Sequence, residues 1–273
     1  MTDRLGIILD DFINRLRELL NDGLLGVYLT GSIALGGYYD DKSDVDFTVV
    51  TEKTLDEKKI NGLSTIHTEM LRKYPKSILE GHYITNAELG RTPDEISPVV
   101  TYNGGRVTRS IFGINMITWF TLKKHGVTAF GLAAIDLVFD APTDKLLAYV
   151  SDNVKTYWTS WLKQTKKLFS IKGLYALTSA AIEWGVSGIS RMYYTLSESD
   201  VISKDKSIEY ALTLTPQKYH RILQDALAIR TGNGKRQYIS PFKRRSDMID
   251  YIGYLVDECN KLYVENNQKG NKE

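Results

Sequence analysis

The chain holds a single cysteine, Cys259, in 273 residues, so no internal disulfide can form. Cys259 falls in an apolar-periodic stretch and reads as a small core residue. A reducing, cytoplasmic setting is the expectation. Histidine is scarce too: His67, His82, His125 and His220 are scattered without zinc-ligand spacing. No apolar run is long enough to span a bilayer, and no secretory apolar segment opens the chain. Neither sign of charge dominates, with 35 Lys and Arg against 33 Asp and Glu. That balance argues against a broad nucleic-acid surface. Internal repeats are absent, and the one biased segment is the polar tail Asn266 to Glu273, expected to fray.

What is present is enough apolar sequence, 42%, for one large domain or two modest ones. Leu5, Ile8, Leu9, Phe12, Ile13, Leu16, Leu19 and Leu20 recur at helical spacing, and Asn21-Asp22-Gly23 stops that helix. Gly26 to Thr30 reads as a buried strand. Leu55 to Tyr74 is helical again, with Ile60, Leu63, Ile66, Met70 and Leu71 as its buried stripe, and Pro75 ends it. Ser77 to Ile84 reads as a strand with Ile78, Glu80, His82 and Ile84 on one face. The segment from Gly90 to Val107 is turn-rich and ambiguous. A helix is expected from Asn115 to Lys124, and Phe139-Asp140-Ala141-Pro142 reads as a linker. Beyond Thr143 the pattern is helical throughout: Leu146 to Phe169, Leu174 to Leu196, Lys204 to Leu212, Pro216 to Arg230 and Ser246 to Glu265. The expected organisation is an α/β (α+β) domain with a small mixed sheet over residues 1–142. An all-α helical bundle follows over 143–273, with the active site in a cleft between them.

One stretch carries chemistry: Gly31-Ser32, a turn through Gly36 and Gly37, then Ser43-Asp44-Val45-Asp46. Residues two apart on a strand share a face, so Asp44 and Asp46 aim at one point while Val45 and Phe47 face a core. Adjacent carboxylates repel unless a cation lies between them. Mg²⁺ favours a few carboxylates together with phosphate oxygens. Gly31 allows close backbone approach, Ser32 offers a hydroxyl, and Ile33-Ala34-Leu35 suggests a short helix whose free N–H groups face the same phosphate. Solvated turn acids would not explain a carboxylate within the apolar run Val45 to Val50, with a second two residues before it.

Gly31-Ser32 followed by Asp44-Val45-Asp46 resembles the nucleotidyltransferase superfamily, which shares its catalytic domain with DNA polymerase β. The resemblance implies Mg²⁺ on Asp44 and Asp46, with ATP as substrate. It also implies a nucleotide site that includes Gly31, Ser32 and Ser43. Glu80, inside the apolar strand Ile78-Leu79-Glu80-Gly81, is a costly residue to bury unpaired. In polymerases the corresponding acid is a third metal ligand; in antibiotic adenylyltransferases it is the general base. The second role is favoured, because the back half resembles the helical domain of aminoglycoside adenylyltransferases of the streptomycin/spectinomycin type. Ser190-Arg191-Met192-Tyr193-Tyr194 looks like that family's arginine-aromatic-aromatic helix. Ser203-Lys204-Asp205 looks like its lysine-aspartate loop. The implied partners of the triphosphate are Arg191 and Lys204, with Arg230 offered to either adenine or phosphate.

The expected acceptor is a small cationic antibiotic, held by acids and aromatics through ion pairing and cation–π contact. Glu183, Trp184, Tyr102 and Trp119 are the candidates, each aromatic having a core reading beside the functional one. The basic run Lys235, Arg236, Lys243, Arg244 and Arg245 reads more simply as a solvated loop and helix start. Gly232-Asn233-Gly234-Lys235 lacks P-loop spacing. The leading expectation is an ATP-dependent O-adenylyltransferase with catalytic Asp44, Asp46 and Glu80. The alternatives are a nucleotidyltransferase acting on a protein, RNA or metabolite, and a non-catalytic nucleotide-binding module. No membrane or nucleic-acid partner is expected, and oligomeric state is not readable.

Overall fold

The computed structural model describes residues 3–40, 42–75 and 78–270, with side chains through Val264. Ser77, the expected strand start, lies outside the described residues, as do the side chains of the tail from Asn266 onward. The chain divides into two compact units, Met1–Pro142 and Thr143–Glu273.

The first unit runs α1 (Asp3–Leu20), β1 (Leu24–Leu29), α2 (Gly31–Ala34), β2 (Val45–Thr51), α3 (Glu57–Lys73) and β3 (Leu79–Thr85). It continues through β4 (Val99–Asn103), β5 (Arg106–Ser110), α4 (Met116–His125) and β6 (Val127–Gly131). The six strands form one mixed sheet in the order β5-β4-β3-β2-β1-β6. β2 and β3 are parallel and the other neighbours are antiparallel. Helices α1 and α3 supply a core with one sheet face: Leu5, Leu9, Phe12, Leu16, Leu63, Ile66 and Met70 pack with Val27, Leu29, Val45, Phe47 and Val49. Asp56 caps α3 by accepting the Lys59 N–H at 2.8 Å. Leu71 is not in the stripe as expected; it is 41% exposed, and His67 takes the buried position instead.

His67 lies within this core at 1% exposure. Its ring stacks on Tyr102 at 3.6 Å, and its Nε2 is 2.7 Å from the Tyr83 hydroxyl. On the other side of β3, buried His82 is 3.1 Å from the Thr48 hydroxyl and meets the edge of Trp119. Burial pulls the pKa of His67 to about 3 and that of His82 to about 4, from an ordinary 6.5. Between pH 6.5 and about 4 the unfolded chain therefore binds protons that the folded chain refuses. Stability is fully present above that window and falls as pH drops through it. Urea midpoints at about pH 7.5 and about pH 5 should show the loss. His67→Phe should cost about 1–3 kcal/mol at neutral pH by stranding the Tyr83 hydroxyl, while making the acid loss shallower. An unchanged acid slope in that variant would remove His67 from the account.

The second unit comprises α5 (Thr143–Asn153), a π-helical turn Val154–Trp158, α6 (Thr159–Lys166), α7 (Ile171–Tyr175) and α8 (Ser179–Glu198). α9 (Lys204–Leu214), α10 (His220–Thr231) and α11 (Pro241–Gly270) complete it. α8 packs against α5, α9, α10 and α11. Its buried Ser190 hydroxyl donates to Val186 O and lies 2.7 Å from the Tyr251 hydroxyl. The helix expected over 146–169 runs on through the π-helical turn and ends at Lys166, while the one expected over 174–196 is broken before α8. Ser170 and Thr178 start fresh helices, accepting the N–H groups of Gly173 and Ala181 on their hydroxyls. Arg244, 4% exposed, pairs with equally hidden Asp225 at 3.8 Å and donates to Leu177 O, tying α11 to the segment before α8. Cys259 is 1% exposed, and burial raises its thiol pKa, consistent with a core residue. No described helix is long and apolar enough to cross a membrane.

Candidate active site

The end of β1 and the start of β2 build the motif. Thr30 donates its N–H to Asp46 O at 3.0 Å, which continues the strand pairing one residue past β1. The chain then turns sharply through Gly31, whose φ is +52°. A Cβ at Gly31 would collide with the Asp46 carboxylate, so glycine is what lets that carboxylate lie against the turn. Ser32 follows in the short helix α2, half-buried. Gly37 donates to Ser32 O at 2.9 Å and folds the loop back. Ser43 is buried and its hydroxyl oxygen accepts the Tyr39 N–H at 3.1 Å. Its side chain thus serves the loop that delivers Asp44.

Asp44 is exposed just ahead of β2, and Asp46 is half-buried within it. Parallel pairing places Glu80 on β3 directly opposite Asp46. The strand order therefore brings residues far apart in sequence to one end of the sheet. Glu80 Oε1 accepts the Gly104 N–H at 3.3 Å from the β4–β5 turn. Gly104 and Gly105 have φ of +55° and +79°, as a two-residue hairpin turn of this hand requires. The Glu80 pKa is raised, first by burial and then by the Asp44 charge, against the Gly104 hydrogen bond.

Beside these acids lies a cavity of about 120 Å³, lined by residues that include Thr30, Asp46, Glu80, His82, Asn103, Phe112 and Thr118. Asn103, Phe112 and Thr118 were not identified as site residues in the sequence, where 90–107 reads only as turn-rich and ambiguous. Among the described residues, no group of three or more His, Cys, Asp or Glu side chains is placed to hold a metal ion. Asp44 and Asp46 remain a pair of hard oxygen donors, one open to solvent. Such a pair suits Mg²⁺ that draws its other ligands from phosphate and water.

Two aromatic candidates need correction. Trp119 is fully buried, donates its indole N–H to Arg91 O at 2.7 Å and meets the edge of Phe139. It is core, with no surface to offer an acceptor. Tyr102 is 5% exposed and stacked on His67, so its ring is engaged from below the sheet although it borders the cavity.

In the second unit Arg191 lies half-buried on α8, and Lys204 is the first residue of α9. The Ser203 hydroxyl donates to Asp205 at 2.6 Å and shapes the turn before Lys204. Arg230 and Glu183, expected on different ligands, are partners: Nη1 meets Oε1 at 3.4 Å, with side chains 6% and 21% exposed. Arg230 is thus buried against an acid in this structure. Trp184, next to Glu183, stacks on Trp158 at 5.1 Å and meets Trp161 and Tyr157. It belongs to an aromatic cluster and retains partial exposure.

Comparison with known proteins follows this division. Residues 9–102 match the nucleotidyltransferase domain, and residues 185–269 match the aminoglycoside adenylyltransferase C-terminal domain. The spectinomycin 9-adenylyltransferase of Campylobacter jejuni is 20% identical, over 88% of this chain and 91% of the relative. The crystal structure of spectinomycin adenyltransferase AAD(9) from Enterococcus faecialis with ATP and spectinomycin superposes with a TM-score of 0.64. That alignment has 17% identity and covers 94% of this chain and 98% of the other, so the fold is shared along nearly the whole length. The chain joins a nucleotidyltransferase domain to a C-terminal domain of the aminoglycoside adenylyltransferases, and it is an enzyme of that nucleotidyltransferase kind.

Proposed function

We propose that the protein is a Mg²⁺-dependent O-adenylyltransferase that moves AMP from ATP to a hydroxyl of spectinomycin, streptomycin or a close aminoglycoside-type relative. The observation that carries this reading is the pairing of Asp46 with Glu80 across β2 and β3, beside Asp44 and the Gly31 turn. Asp44 and Asp46 would hold the metal, which supplies charge neutralisation on the triphosphate when bound. Ser32 anchors a phosphate. Glu80 takes the proton of the acceptor hydroxyl, whose oxygen bonds to the α-phosphorus as the bond to pyrophosphate breaks. Arg191 and Lys204 supply positive charge to the leaving group. Glu183 and Trp184 stay on the acceptor side in this reading, with Arg230 orienting Glu183 through their ion pair. The protein relatives named for spectinomycin adenylylation support the acceptor class. A cytoplasmic location fits a chain with one buried thiol.

The test is pyrophosphate release from ATP and Mg²⁺ with spectinomycin, streptomycin, kanamycin, gentamicin and lincomycin. Release with spectinomycin or streptomycin is the expected result. Release only with kanamycin, gentamicin or lincomycin would keep the transfer and reassign the acceptor. Silence throughout, with ATP still bound, would sink the antibiotic reading in favour of a protein, RNA or metabolite acceptor.

A further inference from the structure

We propose that the second unit carries a nucleotide-binding groove of its own, on the face of α11 turned away from α8. Lys166, Lys218 and Arg221 hold the phosphate, and Tyr254 takes the base. The inference goes beyond the transfer reaction and does not depend on it. Placement comes first. Arg244, Met248, Tyr251, Ile252 and Leu255 of α11 are buried. Tyr251 meets Ser190 of α8, and a Cβ at Gly185 of α8 would touch Ile252 and Met248, so this face packs on α8. Lys243, Asp247, Asp250 and Tyr254 share the opposite face by their helical spacing and line a cavity of about 680 Å³. Lys166 at the end of α6, with Lys218, Tyr219 and Arg221 around the start of α10, completes the polar lining. A pocket for a whole small ligand measures about 300–1,000 Å³, so this one admits a complete nucleotide. Arg191, Lys204 and Arg230 are not in its lining.

Charge decides the kind of ligand. Asp247 accepts from Lys243 Nζ at 2.7 Å and from the Tyr238 hydroxyl at 2.8 Å, so that acid and that lysine neutralise each other. Lys166, Lys218 and Arg221 have no carboxylate partner among the described residues. Exposed Asp250 is the other acid of the lining. The balance is positive, which favours an anion. α10 also begins here, with no acid in its first turn and no side-chain cap, so its positive end adds to the same field.

These groups are held before any ligand arrives. Arg221 donates from Nε at 3.1 Å and from Nη2 at 2.6 Å to Gln237 O, and its guanidinium lies 4.2 Å from the centre of the Tyr238 ring. That leaves the other guanidinium N–H groups for a phosphate. Arg245 donates to Thr165 O and, at 3.1 Å, to Lys166 O, which fixes the end of α6 beside α11. Tyr254 is half-buried, and its ring stacks on Tyr219 at 4.8 Å with 27° between the planes. Lys218 lies over the Tyr219 ring at 4.8 Å. Pre-set donors and a braced aromatic ring lose little freedom on binding. Cations and an aromatic ring in one cavity match a nucleoside phosphate, which is charged at one end and flat at the other.

The test combines photolabelling of the full chain by 8-azido-ATP, followed by peptide mapping, with equilibrium dialysis of ATP. Label is expected on the peptides that carry Tyr219 and Tyr254, with competition by unlabelled ATP. Dialysis should show an equivalent of ATP bound beyond the one at the transfer site. Lys166→Glu combined with Lys218→Glu should weaken that equivalent about tenfold or more, while the KM for ATP in transfer moves by no more than about twofold. Both lysines are exposed, so the fold should tolerate the change. Tyr254→Ala should weaken the same equivalent. Label confined to other peptides, or ATP binding indifferent to the lysine variants, would overturn the groove. Inorganic phosphate that competes as well as ATP, with no effect of Tyr254→Ala, would overturn its assignment to a nucleotide. A chain that labels at Tyr254 yet transfers AMP to no acceptor would support the groove while sinking the transfer reading.

Discussion

Glu80→Gln is expected to retain ATP binding and to lose adenylyl transfer by about 10²–10⁴-fold, the usual worth of a positioned general base. The amide keeps the size of the side chain and its acceptor for the Gly104 N–H, so the hairpin contact survives. What disappears is the capacity to take a proton. Burial and the Asp44 charge already raise the Glu80 pKa from its ordinary 4.5, which makes this carboxylate a better base than an exposed glutamate. Transfer requires the deprotonated form, so activity is present above the raised pKa and falls as pH drops through it. Single-turnover transfer and equilibrium ATP binding, measured on the same variant, decide the assignment. Weakened ATP binding with near-normal turnover would move Glu80 from the base role to the nucleotide site.

The legible parts of this molecule were those written in local pattern. Asp44 and Asp46 stood out because two acids at period two flank Val45 at the start of an apolar run, and Gly31-Ser32 because a glycine at a strand end lets the backbone approach a ligand closely. Glu80 was visible for the same reason, an acid inside a buried strand. β5 was not visible: Arg106-Val107-Thr108-Arg109-Ser110 is an edge strand with mostly exposed side chains, and it lacks the apolar alternation that marks a half-buried one. The segment around Gly104-Gly105 reads only as turn-rich, and it is the sheet order that puts the hairpin turn on Glu80. Trp119 illustrates a different limit. An aromatic residue in a helix gives no local sign of whether its ring lines a pocket or fills a core, and here it fills one. The Arg230–Glu183 pair joins residues 47 apart on separate helices, so its existence is a matter of tertiary packing.

Gly31→Val carries the other large expected effect, because it attacks the site through space rather than through chemistry. The residue has a φ of +52°, where a β-branched L residue is strained by about 1–2 kcal/mol or more. Its Cβ would occupy the position of the Asp46 carboxylate. Strain alone would lower stability modestly, since the turn is short and Thr30 still pairs with Asp46 through the backbone. Displacement of the carboxylate is the costlier consequence. A misplacement of about 1 Å in a reacting array can cost about 10²-fold in rate. The expected outcome is therefore a folded protein, a few degrees less stable, whose kcat/KM for ATP falls about 10²-fold or more. Asp46→Asn should show a comparable loss with little change in thermal midpoint, because it removes the charge without crowding the turn. If Gly31→Val unfolds the chain outright, Asp46→Asn still reads the same carboxylate. Near-normal kcat/KM for ATP in a folded Gly31→Val, or in Asp46→Asn, would detach this strand end from the chemistry.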